Sequence, residues 1–196
     1  MRYFKVFCAV FLIFLAIFST FFIFSFKTTF KNIVKTEAIE SGVSTAIIFA
    51  VIKAESKFSP KAKSSAGAVG LMQIKPSTAV FVANLFLNQN KKNSQYNFDL
   101  AVFNSNSSNE EIENQLKKPE INIKLGTKYL KYLIDKFDNL QTAICAYNAG
   151  ETVVKSWLEN PNYSTDGKTL KVIPFPETKA YLKKVMFNFS IYQKMV

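Results

Sequence analysis

The sequence contains no histidine, two cysteines and a single tryptophan among its 196 residues. The absence of histidine excludes Ser-His-Asp and Cys-His catalytic units, the two-histidine zinc motif and most zinc enzymes. Cys8 lies inside an apolar run and Cys145 far along the chain, so the pair predicts neither a zinc cluster nor a disulfide. Any chemistry must therefore depend on carboxylates, hydroxyls or lysines.

Acidic residues are also scarce, with 14 against 25 basic ones and a formal net charge of +11. The length suits one domain with an appendage, and 48% hydrophobic with 20% charged residues fits a folded core better than a disordered chain. The basic residues are scattered and no nucleic-acid recognition motif accompanies them, so nucleic acid is not an expected partner. A basic surface would suit an anionic polymer or a membrane, or would only keep the protein soluble.

A long apolar run occupies Phe7–Phe26, where seventeen of twenty positions are apolar. At about 1.5 Å per residue it spans roughly 30 Å, enough to cross a bilayer. A cleavable signal is the alternative, but no small-x-small pair precedes Lys27. We therefore predict a transmembrane signal anchor over residues 1–30 and a second domain over residues 31–196. Basic residues flank the run on both sides, so the positive-inside rule leaves its orientation open.

Apolar periodicity and turn residues predict that the second domain is mainly helical. Residues 88–108 are rich in asparagine, serine and lysine, which indicates a surface excursion. A short strand pair over residues 68–74 is the only β-structure expected, because no repeated β-α pattern is present. The helices are predicted over residues 31–40, 44–55, 75–87, 121–137, 140–147, 151–159 and 177–193.

Glu55 is the carboxylate that the pattern favours for chemistry. It ends the most apolar predicted helix and directly precedes a loop that carries Gly67 and Gly70. Partial removal from water raises the pKa of a carboxyl, so this acid could stay protonated near neutral pH and donate to a leaving oxygen. On position alone, a solvated glutamate at a helix end is the competing interpretation.

Four motifs in a fixed order extend this interpretation over nearly the whole second domain, from about Ile47 to Val185. The motifs are Glu55–Pro60 with Ser64–Ile74, Pro76 and Thr78–Ala79, then Asn122–Gly126 with Tyr129–Leu130, then Ala146–Gly150, and finally Ile173–Thr178 with Tyr181. In this order they resemble the lytic transglycosylase family, most of all its membrane-anchored soluble-lytic-transglycosylase-like (SLT) members in bacteria.

The resemblance implies a mainly α domain of the α+β lysozyme-like superfamily that cleaves the β-1,4 bond between N-acetylmuramic acid (MurNAc) and N-acetylglucosamine (GlcNAc). Glu55 would protonate the glycosidic oxygen, and its carboxylate would then take the proton of the MurNAc 6-hydroxyl as that oxygen attacks the anomeric carbon. The product would carry a 1,6-anhydro ring without consuming water. The 2-acetamido group of the substrate would replace the usual second carboxylate. Peptidoglycan glycan strands are the implied partner, and no metal or organic cofactor is implied.

The resemblance also implies supporting roles for four side chains. Ser64 and Gln73 would hydrogen-bond the sugar, the Tyr147 hydroxyl would lie near Glu55 and help to orient it, and Glu177 would line the cleft. Each has a structural alternative: the loop residues could only satisfy loop backbone, the tyrosine could be a core residue, and Glu177 could be a first-turn helix acid.

The sequence departs from the family pattern in two places. Lys75 stands where the family usually has an apolar residue, and the excursion over residues 88–108 is longer than the common connection. Neither departure touches the proposed acid. The lysine could contact carboxylates of the cell-wall peptides or be a solvated side chain.

Three other functions compete with a transglycosylase. A muramidase on the same fold would use water and leave reducing ends, a non-catalytic tethered module would only bind peptidoglycan, and a basic scaffold would hold anionic lipid or wall polymer. The presence of Glu55 and Tyr147 argues against the binding module, and the ordered motifs argue against the scaffold. If peptidoglycan is the substrate, we expect a single-pass protein of the cell membrane with its catalytic domain on the cell-wall side.

Overall fold

The computed structural model describes residues 28–89, 102–104 and 106–196, with only the backbone of residues 86–89, and six isolated positions at 4, 7, 10, 11, 13 and 14. The predicted membrane segment thus falls largely outside the described residues, as does most of the excursion predicted over residues 88–108. Within the ranges described, no helix combines the length and the apolar character needed to cross a bilayer.

From residue 31 onward the described chain is mainly helical, as predicted. Seven of the eight helices in the described ranges match predicted ones to within two residues at each end. Their bounds are α1 Lys31–Ser41, α2 Thr45–Glu55, α3 Pro76–Gln89, α4 Asn109–Leu116, α5 Pro119–Phe137, α6 Leu140–Ala149, α7 Glu151–Glu159 and α8 Pro176–Tyr192.

Helix α4 was not predicted, although its first turn carries a clear start signal. The backbone N–H of Glu111 donates to the Ser108 hydroxyl at 3.2 Å, and the Glu111 carboxylate accepts from the Ser108 backbone N–H at 2.9 Å. This reciprocal pair is a capping box, which satisfies two backbone donors that the helix start would otherwise leave open.

Helix α2 forms the centre of the core, because eight of its eleven residues are buried. Helix α8 packs along it in the opposite direction. Tyr192 stacks on Phe49 with ring centroids 5.3 Å apart, and the Asn188 amide donates to the Ala50 carbonyl at 3.3 Å. The carboxyl end of α2 consequently meets the beginning of α8.

The loop of residues 56–75 follows α2 and contains the expected short β-structure only as two isolated antiparallel bridges. Asn122 of α5 holds this loop in place although it is fully buried. Its amide oxygen accepts from the Met72 backbone N–H at 2.7 Å, and its amide nitrogen donates to the carbonyls of Val69 and Leu116 at 2.9 and 2.8 Å. One buried side chain therefore satisfies three backbone groups from two segments.

The close approach of α5 to this loop requires two glycines. A Cβ atom at Gly70, whose φ is +84°, would lie 2.2 Å from the Asn122 amide nitrogen. A Cβ atom at Gly126 would lie 2.4 Å from the Met72 sulfur. Both distances are far below van der Waals contact, so Gly70 and Gly126 allow the loop to pack against α5.

Candidate active site

The five residues predicted for the site all line one open cavity of about 470 Å³. It lies between the end of α2, the loop of residues 56–75, the junction of α6 and α7 and the beginning of α8. Its described lining is largely polar and consists of Glu55, Ser64, Ser65, Ala66, Ala68, Gln73, Ile74, Lys75, Thr78, Tyr129, Tyr147, Asn148, Ala149, Gly150 and Glu177.

Glu55 is the last residue of α2 and is only partly exposed to this cavity. Burial raises the pKa of its carboxyl to about 7, whereas the hydrogen bond from Tyr181 and the nearby Lys184 ammonium favour the charged form and oppose that rise. The Tyr181 hydroxyl donates to the Glu55 Oε1 atom at 2.6 Å. Lys184 is held nearby because its ammonium donates to the Ala54 carbonyl at the end of α2. The raised pKa expected from the apolar helix is present, and Glu55 can carry a proton near neutral pH.

The orienting role predicted for Tyr147 stays a prediction: its hydroxyl lies near enough to Glu55 for the charge of that carboxyl to act on it, but its proton goes elsewhere. This hydroxyl donates instead to the Met72 carbonyl at 2.8 Å, so it braces the loop of residues 56–75 from α6. Burial, followed by the charge of Glu55, holds the pKa of Tyr147 well above its ordinary value, which keeps its hydroxyl proton in place. The partner of Glu55 is Tyr181, which lies one helical turn after Glu177 in α8. Tyr181 belongs to the last of the four ordered motifs, but nothing in the sequence indicated that its hydroxyl contacts Glu55.

Ser64 and Gln73 are fixed by the loop that carries them. The Ser64 hydroxyl oxygen accepts from the Ala68 backbone N–H at 3.0 Å, so its own proton remains to be donated. The Gln73 amide donates to the carbonyls of Gly70 and Ala62 at 2.9 and 3.2 Å, so its oxygen remains to accept. The two side chains thus bring one donor and one acceptor to the cavity wall.

Glu177 is the second residue of α8 and is exposed at the cavity edge. Its neighbour Thr178 is buried and donates from Oγ1 to the Asn148 amide oxygen at 2.7 Å. This bond joins two of the motifs, Ala146–Gly150 and Ile173–Thr178, and connects α6 to α8 beside the cavity. Sequence reasoning did not single out either partner.

The chemical capacity of the cavity is that of a proton-transfer site. Glu55 and Glu177 are the carboxylates in its described lining, one protonatable near neutral pH and the other exposed. No cluster of three histidine, cysteine or carboxylate side chains suited to a metal ion occurs in the part of the chain that the structure describes. The surrounding hydroxyls and amides can hydrogen-bond a polyhydroxylated ligand.

Comparison with known proteins gives consistent matches. The family model for the transglycosylase SLT domain matches residues 32–170. The soluble lytic murein transglycosylase of Salmonella typhimurium is 34% identical over 153 residues, which cover 77% of this chain and 21% of that protein. The membrane-bound lytic murein transglycosylase C of Haemophilus ducreyi is 32% identical over 124 residues, covering 58% of this chain and 28% of that protein.

A solved structure shares the fold. The crystal structure of the 70-kDa soluble lytic transglycosylase of Escherichia coli matches with a TM-score of 0.67 and 29% sequence identity. The match covers 87% of this chain and 25% of that one. The chain thus spans between about a fifth and just over a quarter of the length of these relatives.

Proposed function

This chain belongs to the transglycosylase SLT domain family, and from that premise we propose that it is a peptidoglycan lytic transglycosylase. It cuts the MurNAc-β-1,4-GlcNAc bond without water and leaves 1,6-anhydro-MurNAc ends. The observation that carries the proposal is the Glu55 carboxyl, whose pKa of about 7 keeps a proton available in the wall of an open polar cavity.

In the first step, Glu55 acts as a general acid. Near neutral pH a large fraction of this carboxyl is protonated, whereas a carboxyl at the ordinary value of 4.5 would be almost fully ionised. Transfer of the proton to the glycosidic oxygen lets that oxygen leave as a hydroxyl. Positive charge then grows at the MurNAc anomeric carbon, where the 2-acetamido group of the substrate stabilises it.

In the second step, the Glu55 carboxylate acts as a base. The hydrogen bond from Tyr181 and the charge of Lys184 both favour the ionised form and so stabilise the carboxylate that the first step creates. The carboxylate takes the proton of the MurNAc 6-hydroxyl while that oxygen bonds to the anomeric carbon. The proton that Glu55 gave is thereby recovered, and the acid is ready for another turnover.

The remaining predicted residues bind and position the substrate. Ser64 donates to the sugar, Gln73 accepts from it, and Glu177 accepts from hydroxyl groups at the edge of the cleft. Tyr147 lines the cavity and also fixes the loop that carries Gln73, through its bond to the Met72 carbonyl. No second carboxylate is required in this assignment, since the substrate supplies both the nucleophile and the charge stabilisation.

The products of digestion test the proposed function. We expect the 196-residue chain, purified in detergent, to release muropeptides with 1,6-anhydro ends from isolated peptidoglycan. Mass spectrometry identifies them, because an anhydro product is lighter by one water than a hydrolysis product. Reducing-end products would establish a muramidase instead. Retained binding to the wall with no product of either kind would favour a binding module.

We also infer that residues 1–30 anchor the chain in the cell membrane and that residues 31–196 form the catalytic domain on the cell-wall side. The supports are the apolar run of residues 7–26 and the membrane-bound name of one relative. We expect the protein to sediment with membranes and to be released by detergent. Release by high salt or alkali alone, or equal sedimentation of a chain that begins at residue 31, would contradict the anchor.

A further inference from the structure

Lys75 is the one lysine or arginine in the described lining of the catalytic cavity. It shares that wall with the carboxyls of Glu55 and Glu177, and its side chain is exposed. Without it the described lining would carry only acidic formal charge. A cation in this wall attracts anionic groups of a ligand in the cleft.

The backbone on both sides of Lys75 is fixed. The preceding residue, Ile74, is buried and exchanges two 3.0 Å backbone hydrogen bonds with Val69. The Lys75 carbonyl accepts from the Ala79 backbone N–H at 2.9 Å in the first turn of α3, where Pro76 begins the helix. The backbone of Lys75 is therefore fixed, two residues after Gln73, and the ammonium can move only by rotation of its own side chain.

The Lys75 ammonium has no hydrogen bond or ion pair with another residue of the described ranges. The other lysine near the acid, Lys184, donates to the Ala54 carbonyl and favours the ionised form of Glu55. The charge of Lys75 is therefore available to a ligand in the cleft.

We propose that Lys75 binds a carboxylate of the glycan strand in the cleft and so gives the enzyme a preference for anionic strands. The inference rests on the proposed function, since peptidoglycan supplies the ligand. Two sources carry the same chemistry in peptidoglycan: the lactyl group of MurNAc when no peptide is attached, and the acidic residues of the stem peptide. An ammonium at the cleft wall can donate a charge-assisted hydrogen bond to a carboxylate from either source.

The test compares Lys75→Met with Lys194→Met in the 196-residue chain. Methionine keeps much of the unbranched side chain and removes the charge. Lys194 is a matched exposed lysine beyond the end of α8, next to Tyr192, which packs on Phe49 in the first half of α2 and away from Glu55. We expect Lys75→Met to raise KM for soluble uncross-linked strands about 3- to 5-fold with kcat and the pH profile unchanged, and Lys194→Met to change neither.

Salt and substrate chemistry separate charge from shape. Raising the ionic strength should increase the KM of the parent chain but leave that of Lys75→Met nearly constant. An effect confined to peptide-bearing strands assigns the carboxylate to the stem peptide. An effect that persists on amidase-stripped strands assigns it to the lactyl group. An equal effect on stripped strands whose carboxyls are methyl-esterified would overturn the proposal, as would a KM that does not change.

A binding measurement tests the role of Lys75 separately from the proposed function. In the Glu55→Gln background the strands stay intact, so their dissociation constant can be measured whether or not the parent chain cleaves them. Absence of cleavage by the parent chain would contradict the proposed function. Equal affinity of Glu55→Gln with and without Lys75→Met would contradict the role of Lys75 alone.

Discussion

Glu55→Gln is expected to lower kcat/KM for peptidoglycan cleavage by about 10³-fold, within the range by which general acid-base catalysis accelerates reactions. Glutamine has nearly the same shape and still offers an oxygen to the Tyr181 hydroxyl, but its amide cannot give a proton to the glycosidic oxygen. The measurement is the rate of anhydro-muropeptide release from soluble strands, followed by chromatography from about pH 5 to pH 8. Activity within tenfold of the parent chain would remove Glu55 from its assigned role.

The stability of the same variant distinguishes lost chemistry from lost folding. Burial raises the pKa of Glu55 from 4.5 to about 7, so the folded chain holds this proton more tightly than the unfolded chain does. The associated stability is complete below pH 4.5 and is lost as the pH rises through about 7. Glutamine does not titrate. As the pH rises from 5 to 8, the unfolding free energy of Glu55→Gln in urea should therefore increase by about 2 kcal/mol relative to that of the parent chain, allowing for partial exposure. A variant less stable at both values would mean that the fold, and not the acid, is damaged.

Tyr181→Phe should have a smaller effect on activity than Glu55→Gln. It leaves the acid in place and removes the hydrogen bond that favours the ionised form, so the pKa of Glu55 should rise further. The alkaline limb of the pH profile should move to higher pH, and kcat/KM at neutral pH should fall about tenfold as the carboxyl loses its orientation. Tyr163→Phe, at a tyrosine outside the described cavity lining, should change neither quantity.

Asn122→Ala is expected to cost about 3 to 4 kcal/mol of unfolding free energy. The substitution removes three hydrogen bonds and leaves the Met72 N–H and the Leu116 carbonyl buried without this partner, while the Val69 carbonyl keeps its bond from the Ile74 N–H. Each such orphaned group costs about 1 to 3 kcal/mol, with partial relief as the loop relaxes. Urea unfolding followed by circular dichroism gives the difference.

A matched asparagine on the surface provides the control for Asn122→Ala. Asn114 of α4 is exposed and accepts only from the Lys117 ammonium, so Asn114→Ala should change stability by less than about 0.5 kcal/mol. Because the loop of residues 56–75 carries Ser64 and Gln73, Asn122→Ala should also lower kcat/KM in conditions where it remains folded. A loss of stability as small as that of the control would show that the loop does not depend on this amide.

Local patterns were sufficient to predict most of the helices. The buried helix α2 follows from a continuous apolar run, and α5 and α8 begin at Pro119 and Pro176, where a fixed φ suits the first helical turn. Helix α4 was not predicted because its sequence is polar. Only Ile112 and Leu116 are buried, so apolar periodicity gave little indication of a helix. Its capping box at Ser108 was the better indicator.

Some features of the site depend on residues close together in the sequence, and others depend on residues far apart. The raised pKa of Glu55 was predictable because it depends on the apolar helix that the residue ends. The direction of a hydroxyl is not local: Tyr147 reaches Met72 and Tyr181 reaches Glu55 across 75 and 126 positions. A buried tyrosine takes whichever acceptor the packing brings within reach, and only the assembled helices determine which one that is.

Glu55 and Tyr181 are far apart along the chain, so we expect Glu55 to become able to donate a proton only late in folding. A chain made from its amino terminus has α2 and the cleft loop long before α8 emerges. Because burial is the main cause of the raised pKa of Glu55 and α8 packs against α2, we expect this carboxyl to have a more ordinary pKa until α8 docks. We expect fragments that end before α8 to keep most of the cleft motifs and to lack a working acid. Under the proposed function, we therefore expect the chain to gain cleavage activity only after α8 has docked.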